Sequence, residues 1–270
     1  MISPSSPRLG RGTASVVTLA EADATMEAMP AFQWPDMLKA PWMRLVAPVA
    51  VAAPPTSIIV PTYNEAASIP ELLLRLRRVV RDCELIVVDD GSRDGTAEVA
   101  EGLGARVLHR GRKLGLASAI LDGFEISSGS VLGVLDADLS HPPEMVPELI
   151  EIAGGGRIAI ASRYVRGGSS VDWPLRRRLM SRVGARVARG ALDIRVRDCM
   201  SGFFFLPRAV FERTRFRTQG FKLLLNILVD NPEREVVEIP YEFCERVHGR
   251  SKLGPREVLN YCRTLRALRA

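Results

Sequence analysis

The sequence predicts an α/β protein built on a mostly parallel sheet with helices on both faces. Short apolar runs alternate with helical patterns along residues 56–162, as expected of consecutive βαβ units. The runs are continuously apolar, which is typical of strands buried on both faces. A chain of 270 residues with 47% hydrophobic content is also large enough to bury a full core.

The predicted elements alternate regularly. Strands are expected at 57–60, 85–89, 106–109, 131–136 and 158–162, and helices at about 69–81, 95–103, 115–127 and 143–152. The first helix has one apolar face, formed by Ile69, Leu72, Leu73, Leu76 and Val80. Ser68 and Glu71 match the S-x-x-E pattern of an N-terminal capping box.

Two of the predicted strands run directly into carboxylates. The run VLGVLDADLSHPPE at 131–144 meets Asp136 and Asp138, and LIVVDDGS ends in a pair that includes Asp90. Because ligands of open α/β sheets bind outside the carboxyl ends of the strands, we expect both acidic ends to face one crevice. Mg²⁺ or Mn²⁺ takes one or two carboxylates and completes its shell with phosphates and water. Asp136 and Asp138 therefore predict a cation that holds a diphosphate; an ordinary acidic loop is the alternative reading.

Composition limits the class of protein. The net charge is +6, with 33 Arg and only 4 Lys, and Arg binds phosphate as a two-bonded fork. We therefore expect an anionic partner. Nucleic acid fits poorly, because aromatic residues are only 6% of the chain. The four cysteines form no C-x-x-C pair, and neither a signal peptide nor a spanning helix is predicted, so a cytoplasmic protein with reduced thiols is expected.

Three segments lie outside the regular pattern. Residues 1–53 are predicted to form an irregular extension, 54–254 the main domain, and 255–270 a basic amphipathic helix. Within the main domain, 174–192 predicts a helix rich in Arg with an apolar stripe of Leu175, Leu179, Val183 and Val187. The stripe either packs on the core or lies at an anionic membrane surface, and the second basic helix favours the membrane.

Six motifs in order resemble those of the dolichol-phosphate (polyprenyl-phosphate) mannosyltransferase family. They are PTYNE (61–65), VVDDGSRDGT (87–96), DADLSHPPE (136–144), ASRY (161–164), RDCMSGFFF (197–205) and RVHGRSKLG (246–254), and the likeness covers about 56–262. The family consists of inverting family 2 glycosyltransferases with a GT-A, Rossmann-like fold. This resemblance implies transfer of mannose from GDP-mannose to the phosphate of a polyprenyl or dolichyl monophosphate, with Mg²⁺ or Mn²⁺.

The resemblance also implies site residues. The residues expected to bind the donor are Pro61, Tyr63, Glu65, Asp90, Lys113, Asp136, Asp138 and Arg163. Of these, Asp136 and Asp138 would hold the metal. The acceptor phosphate would be held by Arg177, Ser181, Arg246 and Lys252; of these, Arg177, Arg246 and Lys252, with Asp138, would act in catalysis. Asp198 and Ser201 are expected to shape the acceptor pocket. Ser140 stands where some relatives have a metal-binding Gln, and Asn226 where relatives often have an acidic residue.

Other functions stay open at this stage. A prenyl-phosphate glucosyltransferase using UDP-glucose, and a family 2 enzyme with a soluble hydroxyl acceptor, share these motifs. A non-catalytic subunit that binds a nucleotide sugar or an anionic lipid is a third alternative. For the mannosyltransferase we expect peripheral attachment to the cytoplasmic face of a membrane, with a separate membrane subunit as a possible partner.

Overall fold

A computed structural model describes residues 54–170, 174–217, 222–243 and 255–269. Its centre is a seven-stranded mixed sheet with the order β3-β2-β1-β4-β6-β5-β7. The strands are β1 (Thr56–Thr62), β2 (Cys83–Asp89), β3 (Arg106–His109), β4 (Val131–Val134), β5 (Ile158–Ser162), β6 (Phe204–Pro207) and β7 (Val236–Pro240). All neighbouring strands are parallel except β6, which runs antiparallel to both β4 and β5. The prediction of a mostly parallel sheet is confirmed.

Helices pack on both faces of the sheet. They are α1 (Ile69–Val79), α2 (Thr96–Gly102), α3 (Leu116–Ile126), α4 (Val146–Gly154), α5 (Leu175–Leu192), α6 (Arg208–Arg213), α7 (Leu223–Asp230) and α8 (Pro255–Arg269). Buried side chains of α1, α2 and α4 form one apolar layer with the sheet. Those of α3, α5, α7 and α8 form the other layer. Alternate residues of β1 supply both, since Ile58 points into the first layer and Ile59 into the second.

The position of β6 depends on a close contact with β4. Gly133 pairs with Phe205 across the two strands, and a Cβ atom at Gly133 would lie 2.1 Å from Phe205 Cε1. Only glycine leaves room for this aromatic ring. A glycine inside a strand often marks such a close approach.

Several local predictions are wrong in detail. The strand predicted at 131–136 ends at Val134, so Asp136 lies in the following loop. The helix predicted from 143 begins with a 3₁₀ turn, Pro143–Met145, before α4. The capping box is absent, because Ser68 already has helical dihedral angles and its hydroxyl bonds to Glu65 instead.

The apolar stripe of α5 does not pack on the core. Leu175, Leu179, Val183 and Val187 are 74%, 59%, 47% and 49% exposed. The helix is anchored instead by two small residues on its opposite face, Ala185 and Ala188. The core-packing interpretation is therefore wrong, and the stripe faces outward.

The irregular extension predicted at 1–53 lies outside the described residues. The predicted domain boundaries remain predictions. Among the residues that are described, no helix is both long and apolar enough to span a membrane.

Candidate active site

The predicted donor-binding residues lie at or after the ends of strands at one edge of the sheet. Residues 61–65 end β1 and begin its loop, Asp90 follows β2, Asp136 and Asp138 follow β4, and Arg163 follows β5. Because β6 runs the other way, the loop before it, 197–203, reaches the same edge. Asp90 and Asp136 are separated by β1 alone, which corresponds to roughly 10 Å between strand axes. The reversed strand thus adds a loop that a fully parallel sheet would place at the other end.

The loops after β1 and β2 are locked together. Asn64 has a left-handed backbone, with φ of 59°; its N–H donates to Ser92 and its side-chain oxygen accepts from the N–H of Arg93. The N–H of Glu65 donates to the hydroxyl of Thr96 at 2.9 Å. These contacts join the PTYNE and DDGSRDGT motifs. Many of the polar residues in these motifs therefore hold the loops in place.

Pro61 can occupy a central strand because β1 extends beyond β4. The pairing of β1 with β4 ends at Ile59 and Val134, whereas pairing with β2 continues to Thr62. Pro61 therefore has no ladder partner on the β4 side, where its missing N–H would matter.

Asp90 is buried and organises the loop before α3. Its two carboxylate oxygens accept hydrogen bonds from the N–H groups of Leu114 and Gly115, at 2.9 and 2.8 Å. Arg110 lies 3.0 Å away and is also buried. A carboxylate with these partners shapes the loop that carries Lys113. Its predicted contact with the nucleobase or ribose remains a prediction.

Lys113 and Tyr63 come together from different loops. The ammonium nitrogen of Lys113 lies 3.5 Å from the centroid of the Tyr63 ring, within the range of a cation–π interaction. The Tyr63 side chain is 40% exposed. Two residues predicted separately to bind the donor thus form one accessible surface.

Asp136 and Asp138 differ in exposure. The Asp136 side chain is 27% exposed, whereas Asp138 is buried and accepts a hydrogen bond from the N–H of Ser140 at 3.1 Å. Leu139, between Asp138 and Ser140, has a positive φ of 62°. This conformation is strained for a bulky residue, and such strain is concentrated at functional sites. The turn presents both carboxylates on a single short loop.

The residues of this loop suit a divalent cation. The hydroxyl oxygen of Ser140 is buried and has no hydrogen-bond partner among the described residues, and it lies beside Asp138. Across the same described ranges, no group of three or more His, Cys, Asp and Glu side chains is arranged to hold a metal. Mg²⁺ commonly binds through only one or two carboxylates, with the remaining positions taken by phosphates and water. Two carboxylates and one hydroxyl match that pattern.

Arg163 is committed to a buried ion pair. Its Nε and Nη2 atoms donate to the two carboxylate oxygens of Asp198 at 2.8 and 2.7 Å. Burial opposes the charge on Arg163, but the charge and hydrogen bonds of Asp198 outweigh it and raise the pKa of the guanidinium. Glu238 in turn accepts from the N–H groups of Arg197 and Asp198. The pair fixes the 197–203 loop against β5, and the predicted contact of Arg163 with the donor remains untested.

Lys222 lies near the predicted site residues, although the sequence did not predict a role for it. Its ammonium donates to the carbonyl oxygen of Met200 at 3.3 Å. Its pKa is lowered to about 8, first by burial and then by the charge of Arg163, while the charges of Asp198 and Asp136 act in the opposite direction. Lys222 therefore shares the electrostatic surroundings of the predicted cation site. The sequence offers one signal for a role of Lys222. Lysine is rare in this arginine-rich chain, and Lys113 and Lys252 are both predicted site residues.

The first turns of α5 lie beside the end of β5. The hydroxyl of Tyr164, next to Arg163, donates to Ser181 Oγ at 2.6 Å. Arg177 lies one helical turn before Ser181, so both share a face of α5. Arg246 and Lys252, the other predicted phosphate ligands, lie outside the described residues.

Comparison with solved structures identifies the fold. A crystal structure of glucosyl-3-phosphoglycerate synthase from Mycobacterium tuberculosis, in complex with Mn²⁺, UDP-glucose and phosphoglyceric acid, matches with a TM-score of 0.61 and 22% identity. The match covers 80% of this chain and 79% of the other. The chain therefore shares the α/β fold of that protein, which is the GT-A fold.

The family model described as glycosyl transferase family 2 matches residues 57–215, which is more than half of the chain. The chain therefore belongs to glycosyltransferase family 2. A dolichol-phosphate mannosyltransferase from Pyrococcus furiosus is 43% identical over 77% of this chain, which spans 61% of that protein's length. One from Saccharomyces cerevisiae is 37% identical over 78% of this chain and 86% of the relative. An undecaprenyl-phosphate mannosyltransferase from Micrococcus luteus is 36% identical over 73% of this chain and 86% of the relative.

Proposed function

We propose that this protein transfers mannose from GDP-mannose to the phosphate of a polyprenyl or dolichyl monophosphate, with inversion at the sugar. The observation that carries the proposal is the identity of 36–43% with relatives named as mannosyltransferases acting on such lipid phosphates. The arrangement of acidic and basic residues at one sheet edge supports it, because that edge suits two phosphorylated substrates.

The proposed acceptor needs no strong general base. A phosphate monoester has its second pKa near 6 and is largely a dianion at pH 7. One of its oxygens bonds to C1 of mannose while the bond from C1 to the β-phosphate oxygen breaks, and that electron pair leaves with GDP. No proton has to move. Asn226, buried in α7 where relatives often carry an acid, is compatible with this chemistry because a base is not required.

The protein's main task is then electrostatic. Asp136 and Asp138 would hold Mg²⁺ or Mn²⁺, which when bound supplies Lewis-acid stabilisation of the leaving diphosphate. Lys113 and Tyr63 would contact the nucleotide end of the donor. Lys222 would add positive charge near Asp136, where the diphosphate charge develops.

The acceptor phosphate would bind at the start of α5. Arg177 and Ser181 lie on one helical face beside Tyr164 and therefore close to the donor edge. Arg246 and Lys252 complete the proposed set of cations. Inversion requires the acceptor phosphate to attack C1 of the donor from the side opposite the leaving group.

Peripheral attachment to the cytoplasmic face of a membrane is part of the proposal. The exposed stripe of α5 is flanked by exposed Arg176, Arg182 and Arg186. In α8, Arg263, Arg266 and Arg269 are also exposed. An apolar stripe bordered by Arg suits an anionic lipid surface, where each basic residue contributes about 1 kcal/mol. This position would bring Arg177 to the depth of the lipid phosphate.

The proposal is tested by following radiolabel from GDP-mannose into an organic-extractable, mild-acid-labile product with a short-chain polyprenyl phosphate. UDP-glucose and free sugars serve as competing donor and acceptor arms. We expect Asp138→Ala to lower turnover at least about 100-fold in the presence of Mn²⁺. Glu148→Ala, an exposed carboxylate on α4, is the matched control and should keep full activity.

Each contrary result points to a different error. Exclusive use of UDP-glucose would exclude mannose as the donor sugar, and transfer only to free sugars would exclude the lipid acceptor. Near-normal turnover by Asp138→Ala would show that Asp138 does not hold a cation needed for the reaction.

A further inference from the structure

His141 contacts one residue of the site in two ways. Its Nδ1 atom accepts a hydrogen bond from the backbone N–H of Asp136 at 3.0 Å. Its Nε2 atom lies 4.0 Å from Asp136 Oδ2. Because Nδ1 accepts, the proton of the neutral ring is on Nε2, the atom that faces the Asp136 carboxylate. The imidazole therefore addresses both the backbone and the side chain of Asp136.

The ring itself is held rigidly. His141 is 2% exposed and stacks on Phe203 with ring centroids 5.0 Å apart and planes 17° from parallel. The edges of Tyr241 and Phe243 lie against it at 6.0 and 5.9 Å. A Cβ atom at Gly202 would lie 3.5 Å from His141 Cε1 and 3.7 Å from Asp136 Oδ2, so this loop closes over both residues. A phenylalanine would fill the same aromatic surroundings without any nitrogen.

We propose that His141 is a positioning residue that fixes the backbone and carboxylate of Asp136 for binding of the cation and donor diphosphate. The inference rests on the proposed function for its ligand, but its structural part concerns Asp136 alone. The aromatic box explains the shape and burial of His141. The two ring nitrogens both lie near Asp136, one at its backbone N–H and the other at its carboxylate. Groups that orient a metal-binding side chain typically change metal affinity or activity about 10- to 100-fold when removed.

Two substitutions separate packing from positioning. His141→Phe keeps a ring for Phe203 to stack on but removes the acceptor for the Asp136 N–H. His141→Asn loses the ring but carries a carbonyl oxygen at the same number of bonds from Cα as Nδ1. A purely structural residue would favour Phe in every assay. If His141 is a positioning residue, stability and function should rank the two variants in opposite orders. His141→Phe should be at least as stable to urea as His141→Asn, whereas His141→Asn should bind Mn²⁺ and the donor better.

Three readouts test the proposal on the full chain. Hydrogen exchange of the Asp136 amide, followed by NMR in metal-free protein, should be slow in wild type and His141→Asn and at least about tenfold faster in His141→Phe. Mn²⁺ affinity in the presence of GDP, measured from the free-ion EPR signal, should fall about 10- to 100-fold in His141→Phe. The loss should be several-fold smaller in His141→Asn. The KM for GDP-mannose should rise in the variants in which Mn²⁺ affinity falls, and in the same order.

Equal amide exchange and equal Mn²⁺ affinity in wild type and His141→Phe would overturn the proposal. Failure of the proposed function looks different. If the wild-type protein binds Mn²⁺ but transfers no mannose, the substrate assignment fails while the amide and Mn²⁺ orders still decide the role of His141. If the wild-type protein binds no Mn²⁺, the cation part of the proposal is refuted. Amide exchange then decides only whether His141 fixes Asp136: exchange that is fast only in His141→Phe supports this, and equal exchange in all three proteins refutes it.

Discussion

Arg163 and Asp198 form a two-bonded fork that is almost completely withdrawn from solvent. The same geometry occurs on the surface, where Arg75 Nε and Nη2 donate to Glu144 at 2.9 and 2.7 Å. The two pairs differ strongly in burial: the Arg163 and Asp198 side chains are 9% and 0% exposed, whereas those of Arg75 and Glu144 are 31% and 53% exposed. Asp198 also accepts from the backbone N–H of Arg163, and Arg75 also pairs with Glu71. The chain thus contains its own control for the effect of burial on an ion pair.

Asp198→Asn should lower the free energy of unfolding by about 3–5 kcal/mol, because it leaves the Arg163 charge buried without its counter-charge. Glu144→Gln should lower it by less than about 1 kcal/mol, since water screens the exposed pair. Urea unfolding of both variants measures the difference. Equal effects would mean that burial does not govern the strength of these pairs.

Lys222 predicts a pH dependence of stability. Its pKa is about 8 in the folded protein, against 10.5 as the ordinary value. Between these values the unfolded chain binds more protons at this residue, so its unfavourable contribution is complete below pH 8 and is relieved as the pH rises toward 10.5. Lys222→Met should therefore be more stable than wild type by a margin that is largest near pH 7.5 and narrows toward pH 9.5.

The measurement is urea unfolding of both proteins in EDTA across that pH range. Buried Cys199, whose pKa burial raises to about 12, acts in the opposite direction because the unfolded thiol ionises first. It is present in both proteins and cancels in the comparison. A margin independent of pH would show that Lys222 does not titrate in this window.

The Lys113–Tyr63 contact predicts an effect on donor affinity. Tyr63→Leu removes the ring face under the ammonium group, an interaction worth about 0.5–1 kcal/mol at an exposed site. The KM for GDP-mannose should rise about 2- to 5-fold, with little change in kcat. Tyr63→Phe keeps the ring and should stay within about twofold of wild type. A Phe variant as poor as the Leu variant would assign the effect to the hydroxyl group.

The exposed stripe of α5 predicts binding to anionic vesicles. Replacing Leu175, Leu179 and Val183 with Ser should weaken vesicle binding at least about tenfold, since burial of even one aliphatic side chain contributes about 1.5–3 kcal/mol. Unfolding free energy should change by less than about 0.5 kcal/mol per site, because these residues are already exposed. Cosedimentation with phosphatidylglycerol vesicles measures the binding.

Leu74→Ser is the control, because Leu74 is 47% exposed but lies on α1. It should leave vesicle binding unchanged. A triple Ser variant that binds vesicles like wild type, or a Leu74 variant that loses as much binding, would contradict the assignment of the lipid surface to α5.

Local sequence patterns were sufficient for much of the regular fold. The strands at 106–109 and 158–162 and the start of the first helix at Ile69 agree with the structure, because continuous apolar runs and 3.6-residue periodicity reflect burial directly. The motif residues of the described part also fall at one edge, as the parallel topology requires. These features depend on neighbours in the chain or on a general rule for parallel sheets.

The sequence by itself determined the alternation of strands and helices, the acidic loop at Asp136 and Asp138, and the amphipathic character of α5. Only the tertiary structure decided that β6 inserts antiparallel beside Gly133, that Asp198 engages Arg163, that His141 faces Asp136, and that the α5 stripe points outward. The physical reason is that periodicity records which residues share a face, whereas the partner of that face is chosen by contacts between residues far apart in the chain.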